Sequence, residues 1–220
     1  MSPPAAVIFD LDGVLIDSET VWNEARREVA AQNGGVWREG AQEAMMGMSS
    51  REWSRYMREQ LGVQLSEAEI SAAVVERLEH RYRESIPLLP GARDAVTALA
   101  SRWPLGLASS ANRTIIELAL ELAGLSARFE VVVSSEEVAR GKPAPDVYLE
   151  AARRLDCAPA RCVAVEDSAN GLRAAAAAGM KVVAIPNDKF PPPEDALDAA
   201  DVVLPSIRAL EPAVIEALEG

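Results

Sequence analysis

The chain predicts a doubly wound α/β domain, a parallel sheet with helices on both faces, interrupted once by an all-helical block. Three observations carry that prediction. Short β-branched runs alternate with helical stretches along most of the 220 residues, the pattern of repeated βα units. The runs are continuously apolar, as strands covered on both faces are. From about residue 18 to 86 no convincing strand occurs. The length suits one large domain carrying a small insertion.

The first strand is expected at 5–9, "AAVIF", and it runs into Asp10, Asp12 and Gly13. The helical block follows. Ser18 stands where it could cap "ETVWNEARREVAAQ", which stops at Gly34-Gly35, and Ser50 could cap "REWSRYMREQL", which stops at Gly62. "SEAE" at 66–69 has the capping-box form ahead of "ISAAVVERLEHRYRES". "IPLLPG" at 86–91 then returns the chain to the sheet. The remaining strands are expected at 104–109, 129–133, 162–166, 181–185 and 201–204, with helices at about 91–102, 113–123, 145–156 and 168–178. The predicted division is therefore core 1–16, helical cap 17–87 and core 88–220. Ligands of open α/β sheets bind beyond the C-terminal strand ends, so a block inserted there would lie over the site as a lid.

Composition narrows the function classes. The formal net charge is −12, which disfavours nucleic acid as a partner, because phosphate backbones call for basic surface. No run reaches the roughly 18 apolar residues of a membrane span. "MSPPAAVIFD" has no basic segment before its apolar run, so a secretory signal is not expected. The only cysteines, Cys157 and Cys162, flank "APAR" with no histidine near. They are read as reduced thiols of a cytoplasmic protein. His80, the only histidine, lies in the charged "RLEHRYRE" and is read as solvated, which removes Ser-His-Asp catalysis. Trp37, Trp53 and Trp103 are read as packing residues, and Arg113 as a solvated side chain.

Chemistry-bearing residues recur at predicted strand ends. Asp10 and Asp12 are two apart, so they project to one side. Neighbouring carboxylates call for a shared cation or for one retained proton, and Gly13 permits close approach or an unusual turn. Ser109 and Ser110 close the second strand in "LASSANR", where hydroxyls and free amides can hold a phosphate oxygen. Lys142, in "RGKPAPDVY", is a lysine in a rigid turn, placed to neutralise a phosphoryl group. Glu166 and Asp167 close another strand in "VEDSANG" and offer the oxygen ligands of a hard cation. Each pattern also fits an ordinary turn or cap. Their joint occurrence beyond successive strands converges on one pocket.

"FDLDGVLIDSE", "ASSAN", "GKPAPDVY" and "VEDSANGLRAAAAAGM" resemble the four ordered motifs of the haloacid dehalogenase superfamily, and the likeness covers the whole Rossmann-like core. The helical insert resembles the cap of the subgroup that includes β-phosphoglucomutase, phosphoglycolate phosphatase and 2-deoxyglucose-6-phosphatase. The resemblance implies Asp10 as nucleophile forming an aspartyl-phosphate, and Asp12 as the acid and then the base. It implies Mg²⁺ held by Asp10, the Asp12 carbonyl and Asp167 with help from Glu166, and Ser109 and Lys142 on the phosphoryl oxygens. Asp12 also argues against dehalogenation, since halide leaves without a proton. Ser110 and Asn112 from the second motif, and Trp22, Ser49, Ser50 and Arg51 from the cap, are expected on the substrate side. Mutase-like members carry a lysine where Met46 stands and a histidine where Trp22 stands. The expected activity is hydrolysis of a small phosphorylated metabolite, a sugar phosphate, by a monomer. A phosphosugar mutase is the alternative. A receiver domain is disfavoured, because its phosphorylated aspartate follows a middle strand and it carries no cap.

Overall fold

A computed structural model describes residues 3–218 of the chain. The first strand, β1 (Ala6–Phe9), is buried throughout. Val7 and Phe9 enter the core on one face of the sheet, Ala6 and Ile8 the core on the other. Alternating side chains thus meet apolar packing on both sides, which is why the run is apolar at every position.

Four helices follow without a strand: α1 (Glu19–Gln32), α2 (Ala41–Met45), α3 (Ser50–Glu59) and α4 (Glu67–Glu84). Helix α4 packs against both α1 and α3, burying Ile70, Val74, Leu78 and Tyr82 along one stripe. Ser66 and Glu69 form the predicted capping box. Two capping expectations change. The box of α3 is built by Ser49 with Glu52, not by Ser50: the Glu three residues after Ser49 reaches back to its amide. Ser18 precedes α1 but makes no side-chain cap. Its hydroxyl is drawn to Asp12 instead, at 2.5 Å.

The core then continues with α5 (Ala92–Ala100), β2 (Leu105–Ser109), α6 (Arg113–Ala123), β3 (Val131–Ser134), α7 (Asp146–Arg154), β4 (Cys162–Glu166), α8 (Ala169–Ala177), β5 (Lys181–Ala184), α9 (Glu194–Leu197), β6 (Val202–Val203) and α10 (Pro212–Glu216). The third strand starts two residues later than expected, because Phe129 leaves the sheet to pack edge-on against Phe9, ring centres 5.9 Å apart. The short helices α2, α9 and α10 carry too few turns to show a periodicity and were not anticipated.

All neighbouring strands are parallel, in the order β3-β2-β1-β4-β5-β6. The chain moves outward from β1 to β3, then restarts on the other side of β1 with β4. The order reverses there, so the crevice lies beyond the C-terminal ends of β1, β2 and β4. Register sets Phe9 beside Leu107 and Val165, so Asp10, Ser109 and Glu166 emerge at one edge.

The helical block leaves and re-enters at that edge. Ile16 bridges Leu88, Asp17 N–H donates to the Pro87 carbonyl and Leu89 N–H to that of Leu15. Helix α4 rests on α6 of the core. Trp53 is buried in the block, against Trp22, and truncating a buried tryptophan costs about 3–5 kcal/mol. Trp37 and Trp103 are half-buried and pack on the same core. His80 is exposed beside Glu84. Arg113 is tied to Glu117, Glu137 and the Val132 carbonyl rather than free in solvent. Both cysteines are free thiols. Among the described residues no helix is long and apolar enough to cross a membrane.

Candidate active site

Gly13 explains how three carboxylates come together. Its φ is +75°, and a Cβ there would stand 1.8 Å from Asp167 Oδ2. Only glycine adopts that backbone readily and leaves room for the carboxylate. Gly171, within α8, plays the same part for Glu166, whose carboxylate fills the space a side chain would need. Asp10, Glu166 and Asp167 can each offer an oxygen to one point, all within 4.8 Å of one another.

Lys142 is the one cation beside them. It is buried, and its Nζ donates to Asp10 Oδ1 at 2.7 Å, to Glu166 Oε1 at 2.6 Å and to the Ala108 carbonyl at 3.0 Å. Tyr148, which sequence reading passed over, lies under the ammonium at 4.9 Å and donates its hydroxyl to Glu166 at 2.8 Å. Burial alone would lower the Lys142 pKa, but Asp10 and Glu166 outweigh it and hold the ammonium charged. Glu166 also accepts from the amides of Asp167 and Ser168 and from the Ser168 hydroxyl. Both its oxygens are engaged, so its main effect is to orient Lys142.

Ionised together, three carboxylates against one ammonium would leave two negative charges in a buried place. Burial, and the repulsion of neighbouring carboxylates, push Asp10 and Asp167 well above the usual carboxylate range, Lys142 opposing. Asp167 Oδ2 is buried without a hydrogen-bond partner, which native structures seldom tolerate. An oxygen-only donor set, an excess of two charges and an orphaned oxygen fit a hard divalent cation.

β1 ends at Phe9, so the strand alternation expected to pair Asp12 with Asp10 does not extend to Asp12, which takes partners from the cap entry instead. Its Oδ1 accepts from Ser18 and, at 2.8 Å, from Trp22 Nε1; the Ser109 hydroxyl reaches Oδ2 at 3.5 Å. Ser109 itself is buried and accepts from the Ala111 amide. The cavity in front of Asp10, Asp12 and Asp167 is lined further by Glu19, Trp22, Arg26, Met46, Met48, Trp53 and Ser110. Its volume is about 30 Å³, room for about two waters. The cap is closed over it: Ser110 Oγ donates to the Gly47 carbonyl at 2.7 Å and Asn170 Nδ2 to that of Met46 at 3.0 Å.

The expected substrate residues divide. Ser110 and Trp22 line this cavity. Asn112 turns away to Glu136, which also accepts from the Arg113 amide at the start of α6. Ser49, Ser50 and Arg51 line a separate cleft with Arg140 and Gly141. Capping consumes Ser49, while Ser50 Oγ meets Glu136 at 3.4 Å. In their place the cavity holds Glu19 and Arg26. Both fall on the buried stripe of α1 with Trp22, Ala25 and Val29, and charged residues on an apolar stripe were the available signal. Burial raises Glu19 to about 7 and lowers Arg26 to about 10.

Residues 4–179 match the family model of the haloacid dehalogenase-like hydrolases. The chain is 36% identical over 193 residues to hexitol phosphatase B of Escherichia coli strain K12, covering 82% of this chain and 83% of that protein. It is 35% identical to a phosphorylated carbohydrates phosphatase of Thermotoga maritima, covering 80% and 82%. A solved structure of CbbY from Rhodobacter sphaeroides in complex with phosphate superposes with a TM-score of 0.85 at 30% identity, over 98% of this chain and all of that one. The chain belongs to the haloacid dehalogenase-like hydrolase family.

Proposed function

We propose that this enzyme is a Mg²⁺-dependent phosphatase that hydrolyses a small phosphorylated metabolite, a sugar phosphate, through an aspartyl-phosphate on Asp10. The observation that carries the reading is Asp10 just beyond β1, held at 2.7 Å by a buried ammonium, with Asp12 two residues on and lining the same cavity. Relatives named hexitol phosphatase B and phosphorylated carbohydrates phosphatase support the substrate class.

Asp10 attacks phosphorus while the bond to the leaving oxygen breaks, and Asp12 supplies the proton that oxygen takes. Asp12, now a carboxylate, removes a proton from water. The water oxygen attacks phosphorus and Asp10 departs. Ser18, Trp22 and Ser109 fix the orientation of Asp12 for both steps. Ser109 and Lys142 bind phosphoryl oxygens. Asp10, Asp167 and the Asp12 carbonyl would hold Mg²⁺, with Glu166 assisting; bound there, the ion supplies the charge neutralisation that attack of one anion on another requires. A sugar phosphate exceeds the cavity as the cap now lies, so substrate binding requires the cap to move away from it.

The test is a phosphate-release screen over roughly 100 phosphorylated metabolites, in Mg²⁺ and in EDTA, with glucose phosphate isomers followed for interconversion. Release in Mg²⁺ alone is expected. Isomerisation without release would instead establish the mutase, which Met46 and Trp22 argue against. No release from any compound would sink the reading.

A further inference from the structure

The mechanism leaves unused a connected polar group in the cavity region: Glu19 and Arg26 of α1 and Gln42 of α2. All three are buried. Gln42 Nε2 donates to Glu19 Oε2 at 2.7 Å, and Arg26 Nη1 donates to Gln42 Oε1 at 3.2 Å. The guanidinium is clamped by two indoles, 4.7 Å from the Trp22 ring centre and 5.2 Å from that of Trp53. Arg26 Nε is buried with no hydrogen-bond partner. A rigidly held guanidinium with a spare N–H, lining a cavity, is a donor awaiting an acceptor.

The same cavity is lined by Asp12 and Trp22, which are hydrogen-bonded to each other, and Asp12 is the residue assigned above to the leaving oxygen. Glu19, Trp22 and Arg26 are spaced three and four residues apart, so they share one helix face. The leaving group therefore meets an acceptor, Glu19, and a donor, Arg26, in series. Their charges cancel. Hydroxyl groups both donate and accept and match such a pair, whereas a second phosphate or a carboxylate only accepts and would face Glu19.

We propose that Glu19 and Arg26, bridged by Gln42, read the leaving group, and that they select an uncharged polyol or sugar carrying a single phosphate against compounds with a second anionic group. The inference rests on the phosphatase reading above and narrows its substrate class.

The test compares kcat/KM at pH 8, where Glu19 is ionised, for glucitol 6-phosphate, 6-phosphogluconate and fructose 1,6-bisphosphate, with 4-nitrophenyl phosphate as a leaving group without hydroxyls. In the wild-type enzyme the polyol monophosphate is expected to exceed both compounds that carry a second anionic group at least 30-fold. Arg26→Gln is expected to lower the ratio of polyol to aryl phosphate kcat/KM at least tenfold, and Arg26→Lys to lower it less. Equal use of the three metabolites, or a preference for the second anion, overturns the inference while aryl phosphate turnover leaves the phosphatase reading standing. Absence of turnover with all four compounds overturns both. An unchanged ratio in a folded Arg26→Gln enzyme removes Arg26 from the role. The wild-type comparison decides the selectivity even if the variants fail to fold.

Discussion

The two walls of the cavity are built on opposite principles. On the sheet side, Lys142 and Glu166 meet partners at nearly every polar atom and sit on or beside strands paired on both edges. On the cap side, Arg26 keeps a buried N–H unpaired, and the loop above the cavity hangs on two hydrogen bonds to core residues. The chemistry common to all substrates needs fixed geometry, and a strand end buried on both faces supplies it. Recognition of one leaving group needs a wall that can be changed and lifted, and a helix of an inserted block supplies that. Two buried atoms without a hydrogen-bond partner border the cavity, Asp167 Oδ2 on the core side and Arg26 Nε on the cap side.

The largest expected effect breaks the sheet wall. Asp10→Asn, nearly isosteric, is expected to lower kcat on the order of 10⁴-fold while the melting temperature changes little; turnover near wild type would remove Asp10 as nucleophile. Lys142→Met is expected to cost about 3–5 kcal/mol of stability, because it leaves buried carboxylates without their cation. Denaturant unfolding would show it, and a loss under 1 kcal/mol would mean that Asp10 and Glu166 simply take up protons. Mg²⁺ is expected to raise the melting temperature of the wild type and not of Asp167→Asn. Equal shifts in both proteins would place the cation elsewhere.

The cap wall is probed through pH. Glu19 rises from an ordinary 4.5 to about 7, chiefly by burial and then by Asp12. Below about 4.5 it is protonated folded and unfolded, and it costs nothing. Between these values only the unfolded chain releases the proton, so stability falls as pH rises. Above 7 the full penalty of about 3 kcal/mol is present. In EDTA, Glu19→Gln should therefore lose less stability than wild type between pH 4 and 8; parallel curves would contradict the burial argument. The smallest effect is at the latch. Asn170→Ala deletes one neutral hydrogen bond worth about 1 kcal/mol and should speed hydrogen exchange at Met46–Met48 about fivefold. Unchanged exchange would mean that packing, not this bond, holds the cap down.

Legibility followed the same division. The core site could be read residue by residue, because each motif stands at a strand's end or in the loop after one and strands announce themselves by apolar β-branched runs. Gly13 belonged to that reading as well; the cradle it makes for Asp167 did not, since nothing local shows which carboxylate will come within 1.8 Å of an absent Cβ. The cap loop misled. Ser49, Ser50 and Arg51 look like binding residues in sequence, but Ser49 is used in capping α3, Ser50 meets Glu136, and all three line the neighbouring cleft.

The sequence by itself determined the alternation of strands and helices, the insertion after the first strand and the strand-end grouping of Asp10, Asp12, Ser109, Lys142, Glu166 and Asp167. These depend on periodicity and on spacing within single elements. Only the tertiary structure decided that Ser18 and Trp22 serve Asp12, that Tyr148 and Glu166 hold Lys142, and that Glu19 and Arg26 face the cavity. Those contacts join residues from different elements, and their formation depends on how α1 packs against α4 and how α7 packs on the sheet, a long-range matter that no local pattern encodes.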